Sequence, residues 1–346
     1  MTMDFGNHKV LLADLCNAKS VSGEETLVQN IVYDFFSKNG TPHRDILGNV
    51  YCELAGETNK RVMVSAHVDE IGLIVNYIDD NGYVYFSNIG FVEPVNLVGQ
   101  RVWINHVPGV ISKNPSYFLN KNEQSKEISI DELWIDIGAC SKEDAESYLS
   151  VGDTVSFANE VLFLSNDRVL SKSLDNKAGV LTMLSVFEGI REGIHLNTSI
   201  AFVSTVQEEI GFRGAKTSAS LLIPDAAIVI DVTNATDTPE SNKKKFGDIR
   251  IDGGPVICIG ANIDNEMAGW LMDMAKKNDL PFQTKAFAAT SNTEASIIQI
   301  ANEGVKTCVI AIPCRYMHSS YEMVSLNDIV GAARLIEHAC LNFGII

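Results

Sequence analysis

The sequence predicts a three-layer α/β/α domain with a mostly parallel central sheet, interrupted by an inserted all-β module. Continuous apolar runs at Val62-Met63-Val64, 199–206, 226–230 and 307–312 alternate with helical patterns, as buried parallel strands covered on both faces do. Residues 73–162 break that alternation with short strands separated by turn signals. The alternation then resumes.

Taken in order, residues 7–19 carry apolar side chains at helical spacing, and Ser20-Val21-Ser22-Gly23-Glu24-Glu25 reads as the start of a helix over 26–36. The strand at 62–64 leads into Ser65-Ala66-His67-Val68-Asp69-Glu70-Ile71-Gly72. Within the insertion, Asp79-Asp80-Asn81-Gly82 is a turn between strands at 73–77 and 83–86. A helix over 173–189 precedes the later strands. The expected division is one α/β domain of residues 1–69 and 163–346, with the insertion at 70–162 and Glu70 at its start. Asn242-Lys243-Lys244-Lys245 reads as a solvated loop.

With 346 residues, 46% of them hydrophobic, the chain can bury a sizeable core. Its 27 basic and 44 acidic side chains give a net charge of −17, which repels phosphate backbones and anionic lipid and argues against nucleic acid or membrane partners. Residues 1–9 lack a secretory pattern, and no apolar run approaches the roughly 20 residues that span a bilayer. The seven cysteines, Cys16, Cys52, Cys140, Cys258, Cys308, Cys314 and Cys340, are scattered and mostly in apolar segments. They read as reduced thiols in a cytoplasmic protein.

Five segments place a ligand-type residue at or just after a strand: His67 and Asp69, Asp175, Glu208-Glu209, Asp231 and His318. In an open α/β sheet the crevice lies beyond the carboxyl ends of the strands, so residues distant in sequence can converge there. Two imidazoles and several carboxylates, without cysteine, are donors for zinc, cobalt or manganese. One carboxylate can bridge two ions that share and activate a water. A further carboxylate must then carry the proton of that water to the leaving amine, and Glu208 and Glu209 can divide the two roles.

The strings Ala66-His67-Val68-Asp69-Glu70-Ile71-Gly72, Leu174-Asp175-Asn176-Lys177-Ala178-Gly179, Gln207-Glu208-Glu209-Ile210-Gly211, Asp231-Val232-Thr233 and Arg315-Tyr316-Met317-His318-Ser319 resemble the M42 family of co-catalytic metallo-aminopeptidases. The resemblance extends from about Ser20 to the run Tyr321-Glu322-Met323-Val324-Ser325-Leu326. It implies two divalent ions, zinc first, with Asp175 as bridge and His67, Glu209, Asp231 and His318 as the remaining ligands. His67 and Glu209 would sit on different ions, and so would Asp231 and His318. Glu208 would be the general base, and Asp69 would orient the His67 ring. The reaction implied is hydrolysis of N-terminal residues from short peptides by a metal-bridging hydroxide. The insertion would be a small β-barrel that mediates dimerisation, giving a homo-oligomer, either a dimer or a hollow dodecamer built from dimers.

Three stretches depart from the family pattern. Ser291-Asn292-Thr293-Glu294-Ala295 replaces a Gly-Gly-Thr-Asp-Ala run, Lys177 replaces an arginine, and the segment from Val110 to Tyr117 lacks a Gly-Ser-Lys-Pro-Pro-His run. The first is expected to reshape the substrate pocket through Glu294, and the last to alter assembly contacts. Arg250, Lys285 and Phe287 are candidates for the side-chain pocket, or equally surface or core residues. Three other readings stay open: a metal-dependent deacylase or deblocking hydrolase, a glycosidase using Asp69 with Glu208, and a catalytically impaired peptide-binding homologue.

Overall fold

The computed structural model describes residues 5–115, 127–190 and 194–344, so Ser116 and Tyr117 of the altered assembly segment lie outside the described residues. Helices Phe5–Asn17 and Thr26–Phe36 form where the apolar spacing puts them. Strands β1 (His43–Arg44), β2 (Val50–Leu54) and β3 (Arg61–His67) follow. β3 outlasts its apolar run because Ser65, Ala66 and His67 keep pairing in parallel with a later strand. His67 is therefore the last residue of the strand.

Six strands, β4 (Gly72–Ile78), β5 (Val84–Ile89), β6 (Arg101–Ile104), β7 (Val107–Ser112), β8 (Trp134–Asp136) and β9 (Thr154–Phe157), close into a barrel in the order β4-β5-β8-β7-β6-β9. Exposed Arg101 and Trp103 alternate with buried Val102 and Ile104, the period of two expected where one face meets a core. Leu73, Val84, Ile111, Ile135 and Val155 complete that core, which is separate from the one under the large sheet. The Asp79 carboxylate accepts from the backbone N–H groups of Asn81 and Tyr83, both at 2.9 Å, and so fixes the β4–β5 turn.

β10 (Leu162–Phe163) and β11 (Arg168–Ser171) lead back to the large domain and the long helix Leu174–Gly189. Then come β12 (Ser199–Thr205), helix Arg213–Leu222, β13 (Ala226–Asn234), β14 (Val256–Gly260), helix Asn265–Lys277 and β15 (Gln283–Phe287). Helix Ala295–Ile298, β16 (Lys306–Cys314), β17 (Glu322–Ser325) and helix Leu326–Asn342 end the fold. The eight-stranded sheet has the order β1-β2-β12-β3-β13-β16-β14-β15, and its four central strands, β12, β3, β13 and β16, are mutually parallel. β13 runs past the apolar residues 226–230, so Asp231 lies inside the strand and not after it.

Helices Leu174–Gly189 and Leu326–Asn342 pack together on one face of the sheet, while Arg213–Leu222 and Ala295–Ile298 pack together against the other. The helix from Leu174 is buried all round, from Leu174 to Phe187, as a helix between a sheet and a further helical layer must be. Phe187 meets Phe36 and Phe202 edge-on at ring separations of 4.8 and 5.4 Å, geometry that adds about 0.5–1.5 kcal/mol per pair beyond area burial. Among the described residues no helix is long and apolar enough to cross a membrane. All seven cysteines are free, and all but Cys140 are buried.

Glu70 bridges to Val21, and barrel pairing begins at Gly72. Its buried carboxylate pairs with the buried Lys172 ammonium at 2.5 Å. Removing one partner of such a pair strands the other charge away from water. Lys172→Met is expected to lower unfolding free energy by about 3 kcal/mol, measured as a fall in the urea midpoint at pH 7.

Candidate metal centre

A cavity of about 580 Å³ opens where the parallel strands end, and His67, Asp175, Glu208, Glu209, Asp231 and His318 all line it. β3 delivers His67 at its last residue and β13 delivers Asp231 from within its carboxyl half. Glu208 and Glu209 follow β12, and His318 lies between β16 and β17. Left-handed backbone turns the chain at Ser173 (φ 54°), Gln207 (φ 56°) and His318 (φ 60°), a conformation that costs an L residue roughly 1–2 kcal/mol. The fold absorbs this strain where ligands are presented.

Asp175 breaks the first turn of the helix Leu174–Gly189: it and Asn176 have non-helical dihedrals, and the peptide bond between them is cis. The Asn176 side chain folds back so that its Oδ1 accepts from Gly179 N–H at 3.0 Å and its Nδ2 donates to the Ile230 carbonyl at 2.8 Å. Gly179 permits this, since a Cβ there would lie 2.2 Å from Asn176 Oδ1. The Asp-Asn-Lys-Ala-Gly string thus ties the Asp175 turn to the residue before Asp231.

The carboxylate of Asp175 lies between the two imidazoles. Its Oδ1 is 3.3 Å from His67 Nε2 and its Oδ2 is 3.3 Å from His318 Nε2. Asp231 Oδ1 is 3.8 Å from His67 Nε2, and Glu209 Oε1 is 3.7 Å from His318 Nε2. Two donor groups result, His67-Asp175-Asp231 and Asp175-Glu209-His318, each with its ligand atoms within 4.8 Å of one another and each able to hold an ion. Glu208 belongs to neither group, and its Oε2 is 4.0 Å from His67 Nε2.

Each imidazole donates its Nδ1–H to a backbone carbonyl, His67 to Asp69 at 3.2 Å and His318 to Phe91 at 3.1 Å. That leaves both Nε2 atoms facing the cluster. Asp69, fully buried, also lies near the His67 ring, with Oδ1 3.4 Å from Nδ1. Its carboxylate further accepts from the Ser22 hydroxyl at 2.5 Å and from the backbone N–H groups of Glu208 and Glu209 at 2.9 and 3.1 Å. Glu322 plays the matching part on the other side. It is buried and accepts from the backbone N–H groups of Asp175 and His318, both at 2.8 Å. The sequence reading missed Glu322 as a functional residue, although a glutamate opening an apolar strand four residues after His318 was a usable signal.

Electrostatics mark the cluster as short of positive charge. Burial and the nearby Asp175 push both Asp231 and Glu209 up to about 8. Burial likewise raises Glu208 well above the usual carboxylate range, reinforced by Asp231 and Glu209 and opposed by His67. Burial opposes protonation of His318, yet Asp175 and Glu209 outweigh it and lift the ring to about 10. Closely packed oxygen and nitrogen donors that resist simultaneous ionisation suit divalent cations.

The other predicted positions separate. Lys285 and Phe287 line the cavity, whereas Arg250 is exposed and paired with Asp248 at 2.7 Å. Ser291, Asn292 and Thr293 line it too, but Glu294 does not: its buried carboxylate accepts from the Thr205 hydroxyl. The expected displacement of a carboxylate in the pocket therefore does not arise from Glu294. Lys177 is fully buried behind the site and donates to Ser20 Oγ at 2.6 Å and to the Val68 carbonyl.

A sequence profile described as M42 glutamyl aminopeptidase matches residues 48–335. The chain belongs to the M42 aminopeptidase family. It is accordingly a hydrolase acting on peptides, in a metal-dependent family. A lysyl aminopeptidase of Pyrococcus furiosus is 32% identical over 94% of each chain. The structure of an aminopeptidase from the archaeon Desulfurococcus kamchatkensis superposes with a TM-score of 0.90 at 34% identity, covering 97% of this chain and 95% of that one. A TET1 peptidase of Pyrococcus horikoshii, which assembles into a tetrahedron or a large octahedral shell, gives 0.86 at 28% identity over 97% and 99% of the two chains.

In this M42 chain, carboxyls with pKa about 8 are mostly protonated at pH 7 before an ion enters and must lose that proton to coordinate. Loading is therefore expected to release protons, and affinity is expected to rise with pH to about 8. By pH 9 the carboxyls have already ionised, leaving the two imidazoles as the remaining sources: His318 at about 10, and His67, where burial is outweighed by Glu208, Asp175 and Asp69, well above its ordinary value. Indicator-dye titration with manganese at pH 7 and pH 9 checks this, and equal release at both would contradict it.

Proposed function

We propose that this chain is a two-metal aminopeptidase that removes N-terminal residues from short peptides. The observation that carries the reading is Asp175, whose two carboxylate oxygens face different imidazoles and so join two donor groups. His67, Asp175 and Asp231 would hold one ion, and Asp175, Glu209 and His318 the other, with zinc favoured over cobalt or manganese by the mixed imidazole and carboxylate set. When bound, such a pair supplies an activated water and stabilises negative charge on the scissile carbonyl oxygen.

The chain's own residues supply the proton traffic. Glu208 accepts a proton from the attacking water as the new C–O bond forms and delivers it to the amide nitrogen as the C–N bond breaks. Asp69 acts at one remove: it fixes the backbone that carries Glu208 and the ring orientation of His67. Glu322 does the same for Asp175 and His318.

Residues 1–69 and 163–346 form the catalytic unit of this reading, and residues 70–162 the dimerisation unit. Exposed Tyr77, Trp103 and Val110 on the barrel strands support a dimer contact there. The shells described for the Pyrococcus horikoshii peptidase support a larger assembly of dimers. Free cysteines throughout fit a reducing cytoplasm.

Glu208→Gln is expected to retain both ions yet lower kcat by about 10²–10⁴-fold, read by metal analysis beside steady-state kinetics; substantial turnover would remove Glu208 from the role. Asp175→Asn is expected to weaken both ions together, whereas His67→Ala and His318→Ala each weaken chiefly one. Titrating metal content in the three variants distinguishes a bridge from an ordinary ligand. Free-amine peptides are expected to be cleaved and their N-acetylated counterparts spared, and the reverse would favour a deblocking hydrolase.

A further inference from the structure

Resting on the reading of Glu208 as general base, we propose that Glu25 is a positioning residue for it, acting through the backbone of Gln207. The run Ser20-Val21-Ser22-Gly23-Glu24-Glu25 reads in sequence as a helix start, and Glu25 does stand immediately before helix Thr26–Phe36. Its side chain, however, makes no capping bond to that helix. It is buried and turned toward the loop that follows β12. Its Oε1 accepts from the Gly23 N–H at 2.8 Å and, from 182 residues away in the chain, from the Gln207 N–H at 3.1 Å.

Gln207 precedes Glu208 and holds left-handed backbone, φ 56°. The peptide unit before it carries the Gln207 N–H, taken by Glu25, and the unit after it carries the Glu208 N–H, taken by Asp69 at 2.9 Å. Peptide units are planar, so the relation between these two planes is the φ and ψ of Gln207. Bonds within the loop, from Gly214 N–H to the Val206 carbonyl and from Arg213 N–H to the Gln207 carbonyl, shape this turn but travel with it. Glu25 and Asp69 fasten it from outside, one on each plane, in a conformation that an L residue otherwise avoids. Glu208 leaves the chain at the next Cα, so the same conformation sets where its carboxylate points. The two anchors differ in what else they hold. Asp69 also takes the Glu209 amide and lies beside the His67 ring, whereas Glu25 reaches only Gly23 and Gln207 and does not line the cavity. Glu25 therefore bears on the aim of the base without bearing on the metal ligands. Burial lifts its carboxyl to about 7, opposed by the Gly23 amide and reinforced by Asp69. Both amides converge on Oε1, so an uncharged amide oxygen in that place would serve as well.

The experiment separates reach from charge. Glu25→Asp keeps the charge, and places before the helix a residue favoured there, but is one methylene too short for the Gln207 amide. Glu25→Gln keeps the reach and loses the charge. Both are assayed as the metal-loaded full chain on aminoacyl p-nitroanilides, with metal content and urea midpoint measured alongside, and Glu25→Asp is also combined with Glu208→Gln. Glu25→Asp is expected to lower kcat by about 100-fold, the scale on which a misplacement of about an ångström is felt, with KM little changed and both ions retained. Glu25→Gln is expected to keep most of the wild-type kcat. The double variant is expected to be no slower than Glu208→Gln alone, because a residue that acts only through Glu208 then has nothing left to position. Wild-type kcat in Glu25→Asp, equal losses in Glu25→Asp and Glu25→Gln, loss of an ion in Glu25→Asp, or a comparable further loss in the double variant each overturn the positioning role and leave the aminopeptidase reading standing. Substantial turnover by Glu208→Gln overturns the general-base reading itself, and the role of Glu25 with it.

Discussion

Two buried carboxylates, Asp69 and Glu322, each accept hydrogen bonds from a pair of backbone amides whose side chains enter the cavity. Between them they hold Glu208, Glu209, Asp175 and His318, which come from three loops far apart in sequence. At Asp69, where burial is outweighed by the His67 ring and by hydrogen bonds that hold the carboxyl below its usual value, such bonds are charge-assisted and roughly twice as strong as neutral ones, and at both residues paired bonds to one carboxyl group fix direction as well as distance. The loops could not otherwise keep their geometry, because each includes or adjoins left-handed backbone at Ser173, Gln207 or His318. Rigidity at the cluster is borrowed from two carboxyl groups that do not line the cavity.

That arrangement works against the stability of the ion-free protein. Burial raises Glu208, Glu209, Asp231 and Glu322, so the cluster retains protons that ordinary carboxyls would have lost by neutral pH. Strained backbone and crowded like charges in one place are the usual mark of a site built for ligand binding, not for folding. The large core beneath, with the Phe36, Phe187 and Phe202 contacts, offsets this locally unfavourable chemistry.

Much of the fold was legible in the sequence, since buried parallel strands read as unbroken apolar runs and the helices kept their spacing. Strand ends were less so. His67 and Asp231 are polar and thus look like loop residues, but backbone pairing with β12 and β16 keeps them in strands. Of the candidate site residues, His67, Glu208, Glu209 and Asp231 were visible at the ends of apolar runs, while Asp175 and His318 were visible through the strings that resemble the family. Glu322 and Phe91 were not, because they act through backbone groups: one binds amides, and the other offers a carbonyl that any residue would supply. Lys285 was ambiguous from sequence alone, and only the reach of its side chain across β14 and β16 to Thr233 sets it apart from the exposed Arg250.

The hydrogen bond from His318 Nδ1–H to the Phe91 carbonyl crosses between the two folded units, since Phe91 follows the barrel strand β5 while His318 belongs to the large domain. That bond keeps Nε2 of the imidazole turned toward the cluster. The barrel therefore works as a tuning screw on the chemistry as well as a separate folding unit. A tilt of about an ångström at the joint would be felt at His318 as a change in basicity and aim. Any contact that grips the barrel from outside has a direct mechanical line to the candidate metal centre.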